Sequence, residues 1–271
     1  MELILFSKFL NDHDAEGLVE RGHQIGIDGY DLCVRPDHPV NPENVGEALP
    51  EVVHKLNSGG LSVPMVTGNF DLLYPDDSTA EPILSAMDEA DVRLVKLGYF
   101  KFDPHGEDYW EKVSEIRAAL EGWQKLGEKY GVKICYHTHS GLNMGLNCAA
   151  LMHLLRGFDP RYIGAYVDTG HMVADGEPFP FGLAMVCRYL AIVALKDYFV
   201  NLKGGNGDER VKREPRMAGE GMVDWPEVFG ELERVGFDGP LSVHAEYEKP
   251  SREDYLASLK DEVAYFRAQL A

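Results

Sequence analysis

The chain has 271 residues, 45% of them hydrophobic and 26% charged, which is the balance of an ordinary soluble globular protein at a length close to the ~250 residues of one α/β barrel. Lys and Arg number 26 against 45 Asp and Glu, a formal charge of −19 that repels nucleic acid rather than attracting it. No stretch approaches the ~20 apolar residues of a membrane helix, and the opening residues lack the basic flank and length of a signal peptide, so a cytoplasmic protein is expected.

Short β-rich runs recur along the chain: ELILFS at 2–7, GYDLCV at 29–34, LSVPMVT at 61–67, RLVKLG at 93–98, VKICYH at 132–137, IGAYVD at 163–168, AIVALKD at 191–197 and PLSVHAEY at 240–247. Their starts lie roughly thirty residues apart on average, room for a loop, a helix and a return loop, as in repeated right-handed βα units. The spacing predicts a closed (β/α)8 barrel in a single domain over 1–271.

Between the fourth and fifth runs, Trp110, Val113, Ile116, Leu120, Trp123, Leu126 and Tyr130 recur at spacings of three or four and predict one apolar helix stripe, stopped by Gly131. Asp224 is expected to cap a helix starting at Trp225-Pro226, with Glu227 in its first turn and Gly236 at its end. The glycine-rich, charged stretch at 203–222 predicts a mobile loop on the mouth side, where lids are found. Cys33, Cys135, Cys148 and Cys187 show no C-x-x-C pairing and read as reduced thiols rather than a zinc cluster.

Functional groups of an α/β barrel sit at the C-terminal ends of its strands. Here those ends carry Ser7 and Lys8, Asp31 with Arg35, Thr67 with Asn69, Lys96, His137 with His139, Asp168 with His171, Lys196 with Asp197, and His244 with Glu246. Side chains two apart on a strand face the same way, so His137 and His139, like His244 and Glu246, can point inward together. Any one of these histidines alone is ordinarily solvated or bonded to backbone, but several His and acidic groups at one mouth suit a divalent Mn, Zn, Co or Fe ion.

Lys196 ends an apolar run and is read as an electrophile or anion partner, whereas Asp197, of opposite parity, faces the wall or caps the following turn. Lys8, Arg35, Lys96 and Lys196 together predict a locally positive mouth that prefers an anionic substrate such as a sugar acid, keto acid or sugar phosphate. Arg35 and Arg216 are candidate substrate contacts, with surface solvation the ordinary alternative.

The stretches GIDGYDLCVRP, GVKICYHTHSG, YIGAYVDTGHMVADGEP, VALKDY and AGEGMVDWPEVFGEL, followed by GFDGPLSVHAEYE, resemble the sugar phosphate isomerase/epimerase superfamily, with its xylose isomerase-like TIM barrel, from the second strand to the eighth. The resemblance implies a metal held at the ends of strands five to eight, commonly by Glu, Asp, His and Glu. Asp168 in VDTGH matches the second ligand, and His171 resembles the histidine that touches substrate beside it. His137 stands where a glutamate is usual, Ala194 where a histidine precedes L-K-D, and His244 near the last glutamate, with Glu246 two residues on.

A divalent metal on His137, Asp168 and His244, completed by His139 or Glu246, is what the resemblance then implies for this sequence. In the implied chemistry Glu246 or a histidine removes a proton beside a carbonyl, Lys196 stabilises the enediolate and His171 orients a substrate hydroxyl. The expected activity is a metal-dependent isomerase or epimerase of a small sugar, sugar acid or sugar phosphate. An inosose-type dehydratase and a non-catalytic sugar-binding barrel are the alternatives. Apurinic endonucleases share the barrel but need basic DNA-wedging loops, which this acidic chain does not offer. Barrels of this kind often pair, which leaves a homodimer as a candidate assembly.

Overall fold

The computed structural model describes residues 1–202 and 211–270. Its strands are β1 (Glu2–Phe6), β2 (Gly29–Cys33), β3 (Ser62–Thr67), β4 (Leu94–Lys96), β5 (Lys133–His137), β6 (Ile163–Asp168), β7 (Leu190–Leu195), β8 (Asp197–Leu202), β9 (Val211–Arg216) and β10 (Pro240–Val243). The helices are α1 (Ala15–Ile25), α2 (Val45–Ser58), α3 (Ala80–Glu89), α4 (Tyr109–Tyr130), α5 (Cys148–Leu155), α6 (Thr169–Ala174), α7 (Phe179–Val186), α8 (Trp225–Arg234) and α9 (Arg252–Leu270). A closed barrel runs β1-β10-β7-β6-β5-β4-β3-β2, and the paired registers are parallel throughout.

Strands enclosed by helices outside and side chains inside are buried on both faces, as β2 and β6 are along their whole length. The period of two divides the core. Leu3, Leu5, Val66, Val95, Ile134, Val167, Val193 and Leu241 pack outward against the helices, while Ile4, Met65, Cys135, Tyr166, Ile192 and Ala194 fill the lumen. Following the inward parity toward the mouth leads from Met65 to Thr67, from Leu94 to Lys96, from Cys135 to His137, from Tyr166 to Asp168 and from Ala194 to Lys196. The lumen is thus largely apolar, interrupted by Asp31 and Ser242 in the layers of Met65 and Ile4, and most of the charged side chains gather above it at the mouth.

α4 forms as predicted. The Asp108 carboxylate accepts from the backbone N–H groups of Trp110 and Glu111, and Gly131 ends the helix at φ 65°, a conformation costly for any residue with a Cβ. Trp110 departs from the predicted stripe: it is 60% exposed, and its indole lies against the ring of His153 instead of in the core. α8 is capped by Asp224 accepting from Glu227 N, as predicted, and buries Trp225 against Phe266.

Several of the predicted runs are too long: the fourth, 93–98, is strand only over Leu94–Lys96. The eighth barrel strand stops at Val243, with His244 and Glu246 lying beyond the ladder. The seventh stops at Leu195, because Asp197 opens an antiparallel ribbon in which β8 pairs with β9. Of the stretch expected to be a mobile loop, residues 203–210 lie outside the described residues, and 211–216 are strand β9. Among the described residues no helix is long and apolar enough to cross a membrane.

Glu262 on α9 is 2% exposed and accepts hydrogen bonds from Ala218 N and Tyr247 OH, joining the helix to the segments that follow β9 and β10. Burial pushes its carboxyl up from 4.5 to about 8, against those two hydrogen bonds. The native state therefore holds this proton more tightly than the unfolded chain does, so the contribution of Glu262 to stability is fully present below 4.5 and is lost as pH rises through about 8. Glu262→Gln is expected to flatten the decline of Tm between about pH 5 and about pH 8. Thermal unfolding of both proteins across that range checks it, and parallel pH profiles would count against the assignment.

Candidate active site

A cavity of about 280 Å³ opens at the C-terminal end of the barrel and is lined by Lys8, Arg35, Lys96, His137, His139, Asp168, His171, Lys196, His244 and Glu246, together with Phe6, Phe70, Tyr99 and Tyr198. The sequence-derived candidates thus meet, with one exception. Arg216 is absent from the lining; it lies half-exposed on β9 and pairs with Glu214 two residues before it, since the strand alternation puts both on one face of the ribbon.

His137 ends β5 and Asp168 ends β6, adjacent strands whose register brings His137 beside Tyr166. His137 Nε2 lies 3.5 Å from Asp168 Oδ2, both groups are buried, and neither of these two atoms has a hydrogen-bond partner. The other ends of both side chains are held. Tyr99 OH contacts His137 Nδ1 at 2.7 Å, and Asp168 Oδ1 accepts from His171 N at 2.9 Å as the N-cap of α6. His171 Nε2 is 3.8 Å from Asp168 Oδ2, with Nδ1 anchored 2.8 Å from Ser140 Oγ. Burial drives the imidazoles of His137 and His171 well below the usual range, aided for His137 by the Lys96 ammonium and opposed for His171 by Asp168. His139 shifts down for the same first reason, and its ring lies against that of His171 at 3.9 Å between centroids.

His244 occupies a different place from the one expected of a ligand beside Asp168. Its Nε2 contacts Tyr166 OH at 2.8 Å and lies 3.7 Å from Asp31 Oδ2, and its ring stacks on Phe6. It belongs to a floor network in which Asp31 also accepts from Thr67 Oγ1 and Ser242 Oγ. His139 Nδ1 is likewise engaged, by Ser140 O and Asn143 Nδ2.

Glu246 faces two ammonium groups, with Lys8 Nζ on Oε1 and Lys196 Nζ on Oε2. Burial alone would raise its carboxyl, but Lys196, His244 and Lys8 hold it well below the ordinary range. For Lys196, burial lowers the ammonium while Glu246 and Asp168 more than offset this and push it up. Both stay charged, so Lys196 acts as a fixed donor and Glu246 as its counter-ion. Asp197, of the opposite parity, points into the wall and accepts from backbone N–H groups of the segment after β9, as its sequence position suggested.

Divalent metal is the ion the sequence chemistry suggested, and the orphaned pair tests it. A buried imidazole nitrogen and a carboxylate oxygen that face each other without a donor between them fit a cation. The fit rests on few atoms: among the described residues no group of three or more His, Cys, Asp or Glu is gathered to hold a metal ion. Ala194, opposite Asp168 in the β6–β7 register, offers no donor, and both oxygens of Glu246 are taken by ammonium groups. His137 and Asp168 would hold the ion, with His171 next.

Phe6, Phe70, Tyr99, Tyr166 and Tyr198 were not singled out from sequence. Tyr166 sits in apolar strand text that reads as core, and only closure of the barrel brings its hydroxyl to Asp31 and His244. For Tyr99, three residues past the end of β4, the one available signal was its closeness to a strand end.

An inosose dehydratase of Lacticaseibacillus casei is 25% identical over 182 residues, which is 62% of this chain; the chain covers 57% of that relative's length. The solved 3-keto-D-glucoside 4-epimerase of E. coli superposes with a TM-score of 0.77 at 14% identity, over 99% of each chain. The IOLI protein with a bound zinc atom superposes with a TM-score of 0.74 at 16% identity, over 100% of this chain and 96% of its own. With a family match over residues 19–269, on a closed barrel whose polar groups gather at one mouth, the chain belongs to the xylose isomerase-like TIM barrels.

Proposed function

We propose that this protein is an enzyme that removes a proton beside the carbonyl of a small polyhydroxylated ketone, as sugar epimerases, isomerases and related dehydratases do. The observation that carries this is the facing pair of partnerless buried atoms, His137 Nε2 and Asp168 Oδ2, in a cavity that also holds Lys96 and Lys196. The inosose dehydratase relative and the epimerase and zinc-bound structures support it. A divalent cation bound by His137 and Asp168 would supply polarisation of the substrate oxygen.

The side chains divide the remaining work. Lys196, kept cationic by Glu246 and Asp168, donates to the oxygen on which negative charge develops. Glu246, held ionised by two ammonium groups, is too weak a base to take a carbon-bound proton. That duty falls to a neutral imidazole. His139 serves it best, being less buried and less shifted than His137 and His171 and in contact with the cavity. His171 orients a substrate hydroxyl, and Arg35, with Lys8 beside Glu246, gives the mouth its preference for an anionic or strongly polar substrate.

Locking Glu246 also favours a second reading. Epimerisation returns the proton from the opposite face and so needs a second base, which the Lys8–Glu246–Lys196 group does not provide, whereas dehydration needs one base and one acid. A panel of ketohexoses, keto-glucosides and inososes turned over in D2O separates these outcomes. Deuterium gained without loss of mass indicates isomerisation or epimerisation, and loss of a water mass indicates dehydration. Binding without exchange for every ketone would reject the enzymatic reading in favour of a sugar-binding barrel.

A further inference from the structure

Lys96 is a buried group of the mouth to which neither the imidazole cluster nor the Lys196–Glu246 pair gives a task. It ends β4 on the inward parity and lines the cavity at 2% exposure. Its Nζ donates to Leu97 O at 3.0 Å and lies 4.0 Å from the centroid of the Tyr99 ring. Lys8 and Lys196 each have a carboxylate against them, but among the described residues none comes within salt-bridge distance of Lys96. An amine with one carbonyl contact, one aromatic face and an open side toward the cavity keeps its lone pair available to a ligand once it is unprotonated.

We propose that Lys96 is a covalent catalytic residue whose Nζ adds to the carbonyl carbon of the ketone substrate and forms an imine with it. In the first step the nitrogen lone pair makes the C–N bond, the carbonyl π pair moves to oxygen, and the proton lost from nitrogen ends on that oxygen. In the second the C–O bond breaks and the oxygen leaves as water, carrying the remaining N–H proton. The net change is ketone plus amine to imine plus water, with no redox step. Protonated on nitrogen, the imine draws the electrons of the neighbouring C–H bond as an imidazole removes that proton. Reprotonation at carbon and hydrolysis return the amine.

The surroundings suit this chemistry. Burial, and then the Arg35 guanidinium, bring the Lys96 ammonium down to about 7, with Asp31, Cys33 and Glu246 acting in the opposite direction. A substantial fraction of the amine is then unprotonated near neutral pH, as a carbonyl nucleophile requires. In a site where Ala194 and the locked Glu246 leave few donors for a metal, an iminium on Lys96 takes the place of the carbonyl oxygen as electron sink, and Lys196 then serves the addition and loss of that oxygen.

This inference rests on the proton-abstraction reading, because it takes the substrate to be a ketone. The test is reduction with sodium borohydride in the presence of dihydroxyacetone, followed by peptide mass mapping. A single reduced adduct on the Lys96 peptide is expected. It should diminish as pH falls below about 7 and vanish in Lys96→Arg, which keeps the positive charge but not the nucleophile. Lys96→Met, of similar length, provides the second variant should arginine not fold. Adducts confined to surface lysines, or no adduct at all, overturn the proposal. If wild type exchanges ketone protons with solvent and Lys96→Arg does so equally fast, the imine is wrong and proton abstraction stands. Absence of both exchange and trapping removes the two together.

Discussion

Asp168→Ala is expected to abolish turnover, lowering kcat by at least ~10³-fold, and to remove divalent metal from the purified protein. The carboxylate is wholly buried and serves three neighbours at once. Oδ1 caps α6 through His171 N, Oδ2 faces His137 Nε2 and His171 Nε2, and its charge helps keep Lys196 protonated. Alanine removes the cation-holding oxygen and frees the turn that sets His171. Asp168→Asn separates these roles, because an amide oxygen still caps the helix but carries no charge. Metal content and turnover should therefore fall in both variants, with stability lost mainly in alanine. Alanine protein with turnover within a few-fold of wild type would sink the assignment of this site.

Much of the barrel was legible because strand text and barrel position share one period. The inward parity that puts Ile4, Met65 and Cys135 in the lumen also puts Lys96, His137 and Asp168 at the mouth, and that parity can be read from sequence. Strand ends were less legible. Nothing local marks Val243 as the last paired residue of β10, since His244, Ala245 and Tyr247 continue the apolar and aromatic text, all of them buried. Trp110 deceived for the converse reason: helical spacing fixes which face a residue occupies but not whether the helix has core beneath its first turn.

The site shows the same division. His137, Asp168 and His171 are set by adjacent strands and a helix cap, so their meeting follows from order along the chain. The Lys8–Glu246–Lys196 group joins residues 238 and 50 positions apart and exists only because β1 and β7 both flank β10. Sequence reading gave Lys196 and Glu246 separate chemical tasks. In the structure each holds the other in its charged form, which is why Glu246 is proposed as a counter-ion and not as the base. His244 was drawn toward the floor by Tyr166 and Asp31, partners that lie 78 residues away in the first case and so left no local trace.

Asp197→Ala should cost ~3–5 kcal/mol of folding stability, although this residue lies beside Lys196 and is assigned no chemical role in the proposed reaction. Its carboxylate accepts from Gly219 N (3.1 Å), Gly221 N (3.2 Å), Met222 N (2.9 Å), Val223 N (3.1 Å) and Trp225 Nε1 (3.1 Å). Four amides of this loop and an indole converge on it, of which Met222 N also reaches Tyr198 O at 2.9 Å, and a hydrogen bond to a charged group contributes about 1.5–3 kcal/mol, though not additively. The packing is close: a Cβ added at Gly221 would lie 2.0 Å from Asp197 Oδ1, so that glycine and this aspartate depend on each other. Loss of the carboxylate should release the segment between β9 and α8 and loosen the ribbon that holds Tyr198 at the cavity. Asp197→Asn should recover only part of the loss, because its NH2 group would confront some of the same donors. Urea unfolding of the three proteins measures this. An alanine variant within about 0.5 kcal/mol of wild type would show that solvent replaces the carboxylate, and that the segment after β9 is held by other contacts.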